Sequence, residues 1–112
     1  MNVKIKARSS FLSANFYTPK DKIFDKLVII LPGYLDSKDY PNIVKLGEFL
    51  ALKNYLTVSF DPTGTWESGG SIEKYSISQY LLDIREIIKY SEQKFNKEFS
   101  EIIIVGHSLG GM

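Results

Sequence analysis

At its N-terminus the chain alternates Val3, Ile5 and Ala7 with Lys4, Lys6 and Arg8. A period of two is that of a half-buried strand, so Val3 to Arg8 is expected to be one. Phe11 to Thr18, closed by Pro19, is expected to be its hairpin partner. Leu27-Val28-Ile29-Ile30-Leu31 does not alternate at all. A short aliphatic run that stops at Pro32-Gly33 predicts a strand buried on both faces. Leu56 to Phe60, stopped by Asp61-Pro62, predicts a second, and Glu101 to Val105, ending at Gly106, a third buried strand.

Between these runs the period lengthens. Pro41 suits the first turn of a helix, with Asp39 or Tyr40 as cap, and Ile43, Leu46, Gly47, Leu50 and Ala51 follow at helical spacing up to Asn54. Ser76-Ile77-Ser78-Gln79 has the form of a capping box, in which serine and glutamine satisfy free N–H groups of the first turn. Ile77, Leu81, Ile84 and Ile88 then predict a helix to about Lys94, with its charges on a solvated face. The fold class is therefore α/β: an N-terminal β-hairpin followed by a parallel β-α-β-α-β unit with right-handed crossovers. Ligands of such sheets bind beyond the carboxyl ends of the strands. Three segments fall there: Pro32 to Lys38, Asp61 to Tyr75 and Gly106 to Met112.

Composition narrows the function classes. The chain has 112 residues, 44% hydrophobic and 24% charged, enough for one core but short of a complete doubly wound domain. A net charge of +1 without long charged runs gives no reason to expect nucleic acid or an anionic membrane surface as partner. With no cysteine and a single histidine, a disulfide scaffold or a transition-metal site is not expected. No signal peptide is visible, and the apolar runs are too short to span a bilayer, so a cytoplasmic protein is the expectation. The sequence carries no signal for oligomeric state.

The candidate chemistry lies in Gly106-His107-Ser108-Leu109-Gly110-Gly111, which follows a strand and is expected to open a helix. Gly-x-Ser-x-Gly in that context is a nucleophile elbow. The turn is so tight that the serine takes strained backbone angles, and Gly106 and Gly110 remove the Cβ atoms that would collide. The serine hydroxyl is thereby presented at a helix N-terminus, where free N–H groups favour negative charge. A phosphate-binding reading does not fit: no Lys-Ser/Thr pair is present, and Ser108 stands where a dinucleotide fingerprint needs its second glycine. No cofactor is expected.

Ile-Ile-Ile-Val followed by Gly-His-Ser-Leu-Gly-Gly resembles the elbow of the lipase, esterase and serine aminopeptidase branch of the α/β-hydrolases, and the resemblance extends from Val3 onward. Leu-Pro-Gly-Tyr at 31–34 stands in the place of that family's strand-then-His-Gly oxyanion segment, with Pro32 where histidine is common. Phe-Asp-Pro-Thr-Gly-Thr-Trp-Glu-Ser at 60–68 resembles its Asp-x-x-Gly-x-Gly-x-Ser loop, with Trp66 in place of a second glycine. The resemblance implies Ser108 as nucleophile, the backbone N–H groups of Tyr34 and Leu109 as oxyanion hole, and a small-molecule ester, thioester or amide as substrate. Trp66 is a candidate pocket residue; burial as a loop anchor and contact with substrate are both open, because an indole serves both ends. Asp61 is expected to form a turn and accept hydrogen bonds.

In this fold the triad's acid and then its histidine follow the serine. His107 adjoins the nucleophile, where neighbouring side chains diverge, so it is expected to pack behind the elbow. Residues 1–112 are accordingly expected to be the N-terminal portion of a single α/β-hydrolase domain, lacking the C-terminal strands and helices and inactive alone. The alternative is a non-catalytic module of the same fold that binds a ligand or partner.

Overall fold

The computed structural model describes residues 1–7, 10–21, 23–33 and 35–106. At the N-terminus β1 (Asn2–Ala7) and β2 (Ser10–Tyr17) form the expected antiparallel hairpin, with Ile5 opposite Leu12. Ile5 is buried, and Lys4 and Lys6 face solvent. The aliphatic runs form β3 (Lys26–Leu31), β4 (Leu56–Phe60) and β5 (Glu101–Gly106). Helix α1 (Pro41–Leu52) joins β3 to β4, and α2 (Ile77–Phe95), preceded by a 3₁₀ turn at Ile72–Lys74, joins β4 to β5.

The strands lie in the order β1-β2-β4-β3-β5. β3 runs parallel to both neighbours, while β2 meets β4 antiparallel. From β3 the chain moves to one side to form β4, then crosses back to form β5 on the other. Strand order reverses at β3, which makes the carboxyl end of β3 the natural crevice of this sheet.

Alternate residues of β3 feed two cores. Leu27, Ile29 and Leu31 pack with Phe16, Val58, Phe60, Tyr80, Ile84 and Ile87 on the α2 face. Val28 and Ile30 pack with Ile43, Leu46, Leu50 and Ile103 on the α1 face. Helix α1 comes so close to β2 that a Cβ on Gly47 would lie 2.5 Å from the ring of Tyr17. That contact is why a glycine occupies a helix interior, where it otherwise costs stability.

Of the two expected caps Tyr40 is the N-cap of α1, without a side-chain cap bond, and Asp39 turns its carboxylate to Lys38 and Asn15. Two elements, α2 and β5, depart from expectation. In α2 the serine half of the expected capping box forms, Ser76 Oγ accepting from Gln79 N at 3.1 Å, while the Gln79 side chain donates to Asp83 Oδ1 at 2.9 Å, and the buried row is Tyr80, Asp83, Ile84, Ile87 and Ser91. Ile77 and Leu81 are exposed. The helix is turned this way because Tyr80 packs edge-on against Phe60 and Asp83 bonds to Thr63, so Asp83 is not on the solvated face. Finally, β5 forms where expected but is not buried: Ile102, Ile104 and Val105 are exposed, because β3 is its only paired neighbour among the described residues. No helix of the described residues is long and apolar enough to cross a membrane.

Candidate active site

The segments leaving β3 and β4 meet at the carboxyl end of the sheet. Pro32 and Gly33 are buried, and Asp36 N donates to Gly33 O at 2.9 Å, closing a turn. Tyr80, buried beneath this turn, donates its hydroxyl to Pro32 O at 3.4 Å. Burial, reinforced by the negative groups around it, pushes the Tyr80 phenol well above its ordinary pKa, so it stays a donor.

Lys38 is the centre of the site. Its side chain is fully buried, and its Nζ lies 2.8 Å from Asp39, 3.0 Å from Asp61 and 2.7 Å from Glu67. Burial alone would favour the neutral amine. Hydrogen bonds to Asp39, Glu67 and Asp61 outweigh it and hold the ammonium above the ordinary lysine range. Desolvation likewise pushes Asp39 up, and its bonds with Lys38 and Asn15 reverse the shift and leave it low. The oxygens of Asp39, Asp61 and Glu67 lie within 4.8 Å of one another, an arrangement that could hold a metal ion. Here the lysine supplies the cation.

Asp61 behaves as its position after β4 suggests, as an acceptor at a turn. Oδ1 takes Lys38 N at 3.0 Å, and Oδ2 takes Lys38 Nζ at 3.0 Å and Glu67 N at 3.2 Å. Its backbone is fixed as well, since Asp61 N donates to Ser13 O and Ser68 Oγ donates to Asp61 O. Behind it the loop turns through Gly64, at φ 85°, where a Cβ would lie 2.1 Å from Ser71 O. Asp83 of α2 anchors the same loop by accepting from Thr63 N and Thr63 Oγ1, both at 2.7 Å.

Trp66 bridges the two loops. Its indole N–H donates to Leu35 O at 2.8 Å, and its ring meets Tyr40 edge-on at 5.8 Å. The side chain is nonetheless 58% exposed. Leu35 and Trp66 both have positive φ, 58° and 41°. Such backbone is costly for residues with side chains and persists where the surroundings over-determine it.

Ser108, Leu109 and Gly110, with His107, lie outside the described residues, as does Tyr34. Gly106 lies within them and ends β5 in register with Leu31. The chain therefore leaves β5 for the elbow motif beside the point where it leaves β3 for Pro32-Gly33-Tyr34. Lys38 and Glu67 are site residues that the sequence does not announce. A lysine or glutamate in a polar loop reads as solvated, and no spacing signals that loops 23 residues or more apart will close on the ammonium.

The model of the serine aminopeptidase, S33, family matches residues 23–112. No curated protein matches the chain. Similar solved structures include Est1E from Butyrivibrio proteoclasticus with ferulic acid bound, 25% identical, TM-score 0.84, over 97% of this chain and 43% of that one. Pyrococcus furiosus esterase Pf2001 is 26% identical, TM-score 0.80, over 98% of this chain and 40% of that one. An alpha-beta serine hydrolase homologue from Coxiella burnetii shares the fold at 18% identity, TM-score 0.81, over 98% of this chain and 52% of that one. The chain thus spans between 40% and 52% of the length of these proteins. With most of its residues matched by that model and its sheet shared with these structures, the chain belongs to the serine aminopeptidase, S33, family of α/β-hydrolases.

Proposed function

We propose that residues 1–112 are the nucleophile-bearing, N-terminal portion of a single α/β-hydrolase domain whose reaction is serine-dependent hydrolysis of a small carbonyl substrate, an ester, thioester or amide. The observation that carries the reading is the register of Leu31 with Gly106, which brings the elbow motif and the Pro-Gly-Tyr segment out of adjacent parallel strands. Adjacent strands lie about 4.8 Å apart. That spacing supports a tetrahedral centre on Ser108 served by donors from both segments.

In the proposed reaction Ser108 Oγ attacks the carbonyl carbon as its proton passes to a histidine base. The carbonyl oxygen becomes an oxyanion held by the backbone N–H groups of Leu109 and Tyr34, each worth about 2.7–4 kcal/mol by analogy with measured removals. Collapse expels the alkoxide, thiolate or amine, which takes the proton from the base. Water then cleaves the acyl-enzyme by the same steps in reverse. The acid and the histidine come from parts of the polypeptide outside these residues, so residues 1–112 alone are inactive. Trp66, tied at its N–H and open along its ring, would form pocket wall beside the acyl group. The ferulic acid of Est1E is an aromatic acid of a size such a wall would suit.

The test is labelling of the complete protein with a fluorophosphonate, read by intact mass. One adduct per chain is expected on the wild type and none on Ser108→Ala. A folded, complete protein that gains no adduct would overturn the hydrolase reading and leave the non-catalytic binding module.

A further inference from the structure

Lys38 and Asp61 are both fully buried, and among the described residues the ammonium bonds only to three carboxylates. Such a pair is an expensive way to gain stability, because the desolvation of two ions offsets most of their attraction. What it supplies here is a fixed distance between two loops. Asp61 is anchored to the sheet by its own backbone through Ser13 and Ser68, and it grips residue 38 twice, at the backbone N–H and at Nζ. At the other end the same segment is held by Tyr80 at Pro32 and by Trp66 at Leu35. Pro32 on one side of Tyr34 in the sequence, and Leu35 and Lys38 on the other, are thus held, and Tyr34 is the residue whose amide is proposed as an oxyanion donor.

We infer that Lys38, clamped to Asp61, is a positioning residue that sets the oxyanion loop against the end of β3. This rests on the hydrolase reading above. An oxyanion donor acts only if it already points at the place where charge develops, and displacement by about 1 Å can cost on the order of 100-fold in rate. The ground-state carbonyl depends on the donor far less, so the effect belongs in kcat and not in KM.

The experiment uses the complete protein with Lys38→Met, and also Lys38→Met combined with Asp61→Asn. The double variant leaves no unpaired buried charge, and the amide oxygen introduced by Asp61→Asn can still accept from the backbone N–H of residue 38. With p-nitrophenyl acetate as probe, kcat is expected to fall about 100-fold with KM little changed. Affinity for a trifluoromethyl ketone, whose adduct with serine is tetrahedral and anionic, should fall by a similar factor. Hydrogen exchange of the amides from 33 to 38 should accelerate while that of β3 does not. Wild-type kcat and ketone affinity in a double variant with accelerated exchange would overturn the inference and leave Lys38 as packing. A wild type that is not labelled at Ser108 would remove the hydrolase reading, and this inference with it. A labelled wild type with an unaffected variant removes the inference alone.

Discussion

β3 and β5 are neighbours of almost the same composition, Lys-Leu-Val-Ile-Ile-Leu and Glu-Ile-Ile-Ile-Val-Gly. Ile29 and Ile104 stand opposite one another in the parallel register, on the same face of the sheet. Yet Ile29 is 0% exposed and Ile104 is 50% exposed. Residue type cannot be the cause. β3 has a strand on each side, α1 over one face and α2 over the other. β5 has β3 alone on one side among the described residues. An unbroken aliphatic run therefore encodes a strand that needs covering on both faces, while the covering is supplied by whatever packs there. The similar solved structures are about twice the length of this chain or more, since it covers between 40% and 52% of them.

The largest effect follows if that comparison is broken outright. Among the described residues β5 has an unpaired edge and an open aliphatic face, both of which template association when residues 1–112 are expressed alone. The expected outcome is aggregation, with no cooperative melt by circular dichroism. A soluble monomer with a sharp transition would show that β5 is a finished edge. Smaller and more informative is a matched pair in the complete protein. Ile29→Ala removes side-chain volume from a closed core and is expected to cost about 2–5 kcal/mol. On the proposed reading, in which further elements of the domain cover β5, Ile104→Ala should cost nearly as much there. A cost below about 0.5 kcal/mol for Ile104→Ala, the range of an open surface site, would mean that the two strands differ in the complete protein as they do here.

How far the molecule is legible in its residues follows the same division. β1 and both helices can be read from periodicity, and β3, β4 and β5 from unbroken aliphatic runs, because both are properties of the local chain. The Ser76 cap is legible for the same reason, and Asp61 as an acceptor follows from its place at a strand end. What cannot be read is which face closes. Ile77 and Leu81 have the spacing of core residues, but the contacts of Tyr80 with Phe60 and of Asp83 with Thr63 decide the rotation of α2. The lysine cage is illegible for a stronger reason, since Lys38, Asp61 and Glu67 belong to loops whose approach is set by the whole sheet. The elbow motif stands out in the chain; its geometry belongs to residues outside those described.

The smallest expected effect concerns what holds β5 beside β3. Lys26 and Glu101 face each other in register, with Nζ and Oε1 3.7 Å apart and side chains 38% and 62% exposed. An exposed pair at that distance gains little, because water screens the charges and ordering two long side chains costs entropy. A stronger lock lies just before the strands: Ser100 N donates to Asp25 O at 2.8 Å, and Ser100 Oγ donates to Asp25 Oδ2 at 3.0 Å. Lys26→Ala should therefore shift the stability of the complete protein by less than about 0.5 kcal/mol, and the difference should vanish in 1 M salt, where the screening length is about 3 Å. Urea denaturation of wild type and variant at low and high salt measures both. A loss well above that figure that persists in 1 M salt would make Lys26 a packing residue of the β3–β5 seam, its aliphatic stem covering apolar surface as long cationic side chains can.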